Sequence, residues 1–193
     1  LKYIRELHVI AVNNECKELT AVLYQMNSVN ESSEKEVVIS CEQAVHNSLS
    51  EPFTYTLSEE KNAVCQLADR VETYLYEPGA ALLKAGPYRL LSQRYGVKKL
   101  HPNSHLYTSS VQVDFPGRCF QVTGISGFGK KEVKELLSGL EKANLTVRNF
   151  PASVADLRKK LKLKEGGDVY LFATTLQNGE KVLIKCLKPA LLS

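Results

Sequence analysis

The fold of this chain is decided by residues 119–188, which read CFQVTGISGFGKKEVKELLSGLEKANLTVRNFPASVADLRKKLKLKEGGDVYLFATTLQNGEKVLIKCLK. The apolar run at 119–122 predicts a β-strand, which we expect to break at Gly124, Gly127 and Gly129. Apolar residues then recur three or four positions apart, the spacing of one helix face, at Val133, Leu136, Leu137 and Leu140. The segment is therefore expected to open with a strand and a helix.

The same segment continues with a second strand, a second helix and a hairpin. Residues 145–150 predict a strand, and Ser153 is placed to cap a helix over 154–163. Two β-branched runs, 169–176 and 181–187, flank an Asn-Gly pair, which favours a hairpin turn. The predicted order is β-α-β-α-β-β, which is a small and complete α+β unit.

Charge is distributed unevenly along the chain. Residues 1–78 hold 6 Lys and Arg against 13 Asp and Glu, a net charge of −7. Residues 79–193 hold 19 Lys and Arg against 8 Asp and Glu, a net charge of +11. An acidic part joined to a basic part indicates a protein that meets polyanions. The alternative is a basic surface that is simply solvated.

Hydropathy and cysteine usage limit the class of protein. No apolar run approaches the roughly 18 residues that a transmembrane helix needs, and no secretory signal is present. The five cysteines lie far apart and form no Cys-x-x-Cys pair, which favours reduced thiols in a cytoplasmic protein. The chain begins at Leu1 and soon enters a β-like run, so we expect it to be a piece of a longer protein.

Residues 1–73 predict short strands that need a larger sheet, because an isolated hairpin is marginal in water. The first two strands are expected to pair antiparallel, and the last two are expected to pair with each other. The predicted strands are, in order, 5–13, 16–24, 37–41 and 53–57. We expect a polar loop at 27–36 and an acidic loop at 58–73, before a short element that ends at residue 76.

Two short helices are predicted in the middle of the chain. They span 80–85 and 88–95, and Gly96 ends the second helix. A loop at 100–105 and a short strand at 106–108 follow.

The stretch from Gly124 to Lys130 fits G-x-x-x-x-G-K, the pattern of a phosphate-binding loop. The next residue should be Ser or Thr to hold Mg²⁺, but it is Lys131. Only 64 residues follow Gly129, too few for the parallel sheet of such enzymes. We interpret the stretch as a glycine-rich turn at the start of a helix. An enzyme that binds nucleotide phosphate through this turn is an alternative.

Catalytic and metal-binding patterns have little support in the sequence. His101 and His105 are four residues apart, but Pro102 argues against a helix between them, so we expect loop histidines without a metal. No G-x-S-x-G occurs, no G-x-G cofactor loop follows the first strand of an α/β sheet, and no catalytic residue is predicted.

Nucleic-acid binding has the strongest support. The second helix of the terminal segment is rich in cations, and contacts between such a face and phosphates would give salt-sensitive, sequence-independent affinity. The residues predicted to contact RNA phosphates are Lys130, Lys131, Arg148, Arg158, Lys159, Lys160 and Lys162. Arg148 is expected to lie on the same side of the sheet as Lys130, Lys131 and Lys134. Candidates for stacking on unpaired bases, with burial in the core as the alternative, are Tyr88, Tyr95, Tyr107 and Phe128.

Several stretches resemble a family of bacterial class I S-adenosylmethionine-dependent methyltransferases. Residues 5–12 (RELHVIAV) and 14–19 (NECKEL) are similar to the last strand pair of the methyltransferase domain. The stretches that resemble the family's small ferredoxin-like segment are 76–78 (YEP), 100–107 (LHPNSHLY) and 115–118 (FPGR). Those that resemble its C-terminal THUMP-like domain are 146–151 (TVRNFP) and 163–171 (LKEGGDVYL).

The resemblance implies an α+β chain in three parts. Residues 1–73 would be the closing strands of a truncated Rossmann-like methyltransferase domain, 74–118 a small ferredoxin-like segment and 119–193 a THUMP-like domain. The implied function is docking of structured RNA, either tRNA or rRNA, for a cytoplasmic methyltransferase.

The family's cofactor loop and its Asp-Pro-type catalytic motif have no counterpart in this chain. The resemblance implies S-adenosylmethionine as the cofactor of the full-length protein. For this chain itself we predict no cofactor, metal or catalytic residue. The alternative function is a protein–protein interaction module that uses the basic C-terminal face.

Overall fold

The computed structural model describes residues 3–23, 36–45, 48–49 and 51–190. The chain divides into two compact units, which we describe separately. The first unit contains Leu1–Cys65 and Pro78–Arg94, and the second contains Gln66–Glu77 and Tyr95–Ser193. No helix among the described residues is both long enough and apolar enough to cross a membrane.

The first unit is built on a five-stranded sheet. Strands β1 (Ile4–Val12) and β2 (Glu15–Leu23) form the predicted antiparallel hairpin. Strand β3 (Val38–Val45) runs parallel to β1, while the short β4 (Ser48–Leu49) and β5 (Phe53–Thr56) pair antiparallel with β3. Both predicted strand pairs are confirmed. The loop predicted at 27–36 lies, apart from its last residue, outside the described residues.

The two faces of this first sheet differ in polarity. Val9, Ala11, Ile39 and Cys41 are buried, and helix α2 (Ala80–Ala85) packs against β1 and β3. The other face carries the alternate residues of these strands and is more polar. There the Nδ1 atom of His8 lies 2.8 Å from Oε1 of Glu42, and its Nε2 atom lies 3.2 Å from Oε2 of Glu6. The hydrogen bond with Glu42 is the main cause of a raised pKa of His8, which burial partly opposes.

Two further helices complete the first unit. Helix α1 (Leu57–Asn62) lies where a loop was predicted, and that prediction is wrong. Its start is a capping box in which Thr56 and Glu59 satisfy each other's backbone N–H groups. Helix α3 (Tyr88–Tyr95) has the predicted bounds, and the Glu60 carboxylate accepts hydrogen bonds from two N–H groups in its first turn.

The second unit contains a seven-stranded sheet. Its first strands along the chain are β6 (Tyr74–Pro78), β7 (Lys98–Lys99), β8 (Tyr107–Ser109) and β9 (Gly117–Ser126). The remaining strands are β10 (Asn144–Arg148), β11 (Tyr170–Thr175) and β12 (Lys181–Leu187). Their spatial order is β10-β11-β12-β9-β6-β8-β7. Helices α4 (Lys130–Leu136) and α5 (Val154–Leu161) connect β9 to β10 and β10 to β11. The predicted β-α-β-α-β-β order and the α+β class are confirmed.

Side chains alternate between the two faces of this sheet, and each face has its own core. Phe172, Ile184 and Cys186 belong to a cluster with Leu75 and Phe120. A second cluster lies on the face that carries the two helices and contains the neighbouring residues of β11 and β12 (Leu171, Ala173 and Leu183) and Leu145 of β10.

The break predicted at Gly124 does not occur, because β9 continues to Ser126. Gly124 lies inside the strand, opposite Lys185 and next to a register shift. A Cβ atom at Gly124 would lie 2.6 Å from Cδ1 of Leu136 in α4. The glycine therefore allows α4 to pack closely on the strand rather than ending it.

Candidate nucleic-acid interface

Helices α4 and α5 lie side by side on one face of the second sheet. Leu157 is the buried anchor of α5, and Leu136 packs α4 onto the same apolar cluster. From β12, the ammonium group of Lys185 donates a hydrogen bond to the carbonyl oxygen of Leu136, at 3.1 Å. Apolar contacts therefore hold both helices on the sheet, and the hydrogen bond from Lys185 adds to them at the end of α4.

Local sequence explains where these helices begin and end. The Ser153 side chain accepts a hydrogen bond from the N–H of Asp156, so the predicted cap of α5 is confirmed. Lys162, in the left-handed conformation, ends α5. Helix α4 is shorter than predicted and ends at Leu136, before Gly139 takes a positive φ of 73°.

A groove of about 570 Å³ runs between α4 and α5. Apolar side chains form most of its surface, and three lysines stand beside them, whereas no carboxylate lines it. The lining residues are Phe128, Lys130, Val133, Lys134, Leu137, Ser138, Gly139, Leu140, Lys160 and Leu161. The groove therefore combines an apolar surface with positive charge.

Helical spacing decides which lysines reach the groove. Lys130, Val133, Lys134 and Leu137 are three or four positions apart, so they share the side of α4 that faces α5. Lys131 is exposed but does not line the groove.

The five lysines of the predicted RNA-contact set are all exposed. Among the described residues, no carboxylate lies within ion-pair distance of their ammonium groups. These lysines are Lys130, Lys131, Lys159, Lys160 and Lys162. Their charges are thus available to an external anion.

The two arginines of the same set make contacts within the protein. Arg158 donates a hydrogen bond to the carbonyl oxygen of Ala143 at 3.2 Å and lies 3.9 Å from the exposed carboxylate of Glu165. Arg148 lies on the opposite face of the sheet from α4 and α5, because it alternates with Val147, which packs beneath the helices. The expectation that Arg148 lies on the same side as Lys130 is wrong.

The glycine-rich turn does not have the geometry of a phosphate-binding loop. Its first glycine belongs to β9, and a carboxylate oxygen of Glu132 would lie 2.7 Å from a Cβ atom placed on Gly127. The same carboxylate lies close to Gly129, which precedes α4. A negative charge thus occupies the place where phosphate would bind, which favours the interpretation as a structural turn.

Three of the four aromatic candidates for base stacking have partners within the protein, although Tyr88 and Tyr95 are only half-buried. Tyr107 is fully buried, and Tyr95 packs edge-on to Phe115 with ring centroids 5.4 Å apart. The Tyr88 hydroxyl donates a hydrogen bond to the carbonyl oxygen of Leu83. Only Phe128, whose ring centroid lies 4.7 Å from that of Phe150, lines the groove.

Two family models together match residues 74–188. A ferredoxin-like domain matches residues 74–116, and a THUMP domain-like family matches residues 117–188. The chain carries a ferredoxin-like domain and a THUMP-like domain. Helices α4 and α5 and the groove between them belong to the THUMP-like domain.

A solved structure from Porphyromonas gingivalis W83, a candidate methyltransferase, is similar to this chain with a TM-score of 0.88 and 37% sequence identity. The match covers 98% of this chain and 47% of that chain, so this chain spans about half the length of the solved protein. No curated protein matches the chain. The resemblance to a ferredoxin-like segment followed by a THUMP-like domain is confirmed. The domain limits placed at residues 73 and 118 stay a prediction.

Sequence reasoning missed a buried ion cluster that joins the ferredoxin-like and THUMP-like domains. Only 2% of the Glu77 side chain is exposed. Its Oε2 atom accepts hydrogen bonds from Arg118, and its Oε1 atom accepts two from Arg148, at 2.8 and 3.0 Å. The signal in the sequence was Glu77, a charged residue near the end of the otherwise apolar strand YLYEP. A buried carboxylate needs a partner, so its position indicated an ion pair.

His101 and His105 lie in a loop, as predicted, and the described part of the chain contains no group of side chains suited to a metal ion. Asn149 is hydrogen-bonded to Nδ1 of His101 at 3.0 Å, which links this loop to the end of β10. Burial, together with the nearby charges of Lys99 and Arg148, lowers the pKa of His105 to about 4.

The lowered pKa predicts that acid destabilises the protein through His105. Between about pH 6.5 and pH 4 the unfolded chain binds a proton at this residue and the folded chain does not, so the free energy of unfolding falls as pH falls. We expect a loss of about 1–2 kcal/mol over this range that is absent in His105→Gln. Urea unfolding at several pH values measures it, and identical pH profiles for the two proteins would contradict the prediction.

Proposed function

We propose that the THUMP-like domain docks structured RNA, either tRNA or rRNA, for a methyltransferase. The observation that carries the proposal is the set of five exposed lysines on and beside α4 and α5, with no carboxylate of the described residues within ion-pair distance. RNA is the polyanion that the resemblance to THUMP domains implies, and unpaired surface ammonium groups match its phosphates. Arg148 and Arg158 have internal partners, so the proposal depends on the lysines.

The methyltransferase association supports this choice of partner. The similar protein from P. gingivalis is a candidate methyltransferase, and a domain that holds RNA would bring a target base to such an enzyme. S-adenosylmethionine as the cofactor of the full-length protein and a cytoplasmic location are part of the same proposal.

Binding to bulk tRNA, measured by fluorescence anisotropy at about 50 mM salt, tests the proposal. Lys159→Gln combined with Lys160→Gln should weaken binding about tenfold, because two phosphate contacts are lost. The matched control combines Lys61→Gln with Lys84→Gln, since these exposed lysines also stand in the last turns of helices. The control should change affinity less than about twofold.

Two results would contradict the proposal. One is a folded protein that does not bind tRNA at low salt. The other is an equal loss of affinity in the two double variants, which would mean that net charge alone governs binding. The second candidate function is binding of an acidic protein by the basic face. Either result would favour it, because the same exposed lysines also suit carboxylates.

A further inference from the structure

We infer that the groove between α4 and α5 receives an unpaired nucleotide of the RNA. This inference rests on the proposed function and adds which part of the RNA is recognised. The RNA would present a looped or single-stranded nucleotide whose base enters the groove, while its flanking phosphates contact the lysines.

The composition of the groove is the first argument. Five apolar side chains line it, and one of them is the aromatic ring of Phe128: Phe128, Val133, Leu137, Leu140 and Leu161. These residues are only partly buried, so part of their apolar surface faces solvent. A continuous double helix presents phosphates and sugar hydroxyl groups and would leave this surface unfilled, whereas an unpaired base offers a flat apolar face.

The position of charge is the second argument. Lys130 and Lys134 stand on one wall of the groove, and Lys160 stands on the other. Phosphates on both sides of an inserted base would therefore meet an ammonium group. The carboxylates of α4, Glu132 and Glu135, do not line the groove, so no negative charge there opposes the RNA.

Size is the third argument. A volume of about 570 Å³ lies within the range of about 300–1,000 Å³ that is usual for small-ligand sites. The helices that form the walls have seven and eight residues and are thus about 10–12 Å long. This length suits one or two nucleotides and gives an amphipathic partner helix only about two turns of contact.

The test compares two RNAs of equal length and charge, one a hairpin with an unpaired loop and the other a continuous duplex. We expect the wild-type protein to bind the hairpin about tenfold more tightly, measured by fluorescence anisotropy. Ser138→Trp should remove this preference, because the indole fills the groove without deleting a lysine or a core side chain. Binding of the duplex should change less than about twofold.

A matched control and two checks accompany this variant. Ala155→Trp places the same side chain on an exposed position of α5 outside the groove, and it should keep the preference. Thermal unfolding shows whether each variant is folded. The chain contains no tryptophan, so a blue-shifted emission of Ser138→Trp relative to Ala155→Trp reports that the indole occupies the groove.

The outcomes separate this inference from the function on which it rests. Equal affinity of the wild type for hairpin and duplex, or an equal effect of Ser138→Trp on both, would overturn the inference and leave RNA docking in place. Failure to bind either RNA would overturn both. A fluorescein-labelled acidic amphipathic peptide that loses binding in Ser138→Trp, while both RNAs keep theirs, would assign the groove to a protein partner instead.

Discussion

Replacement of Glu77 by Gln is expected to lower the free energy of unfolding by about 2–3 kcal/mol. The carboxylate is almost completely buried and faces two guanidinium groups. Its loss would leave two like charges without their counter-ion, and removal of one partner from a buried pair costs about 3–5 kcal/mol. We expect a smaller value here because 41% of the Arg118 side chain and 36% of the Arg148 side chain are exposed.

Urea unfolding measures this loss, and Glu135→Gln is the matched control. Glu135 is an exposed carboxylate of α4, so its replacement should change stability by less than about 0.5 kcal/mol. Arg148→Met should lower the free energy of unfolding less in the Glu77→Gln background than in the wild type. The coupling energy between the two changes should be about 1 kcal/mol or more. Additive effects of the two changes would show that the cluster does not hold the second sheet together.

The affinity for tRNA is expected to fall about 100- to 500-fold between about 50 and 200 mM salt. Each phosphate contact contributes about −0.7 to −0.9 to the slope of log affinity against log salt concentration, and the five exposed lysines together give about −3.5 to −4.5. Anisotropy titrations at four or five salt concentrations measure the slope.

The variants make this prediction specific to α5. The slope should become shallower by about 1.4–1.8 when Lys159→Gln and Lys160→Gln are combined, because two counter-ion-releasing contacts are removed. It should stay unchanged when Lys61→Gln and Lys84→Gln are combined. A slope near zero in the wild type would exclude docking through phosphates.

Local patterns in the sequence were sufficient for most elements of the second sheet. The hairpin between β11 and β12 follows from its Asn-Gly pair, and Gly179, with a positive φ of 85°, takes the left-handed position at the end of the loop. The start of α5 follows from Ser153, because a cap acts on N–H groups within the next three residues. Helix α1 was also signalled locally, by Thr56 and Glu59, but the acidic composition of the region obscured it.

The sequence by itself thus determined the order of elements, the α+β class and the basic character of α5, because these depend on neighbours in the chain. Only the tertiary structure decided which cations remain exposed. Arg148 meets Glu77, 71 positions away, through sheet pairing that no local pattern encodes. The groove likewise exists only because α4 and α5 pack side by side on the same sheet face, which brings Lys130 and Lys160 onto opposite walls of one site.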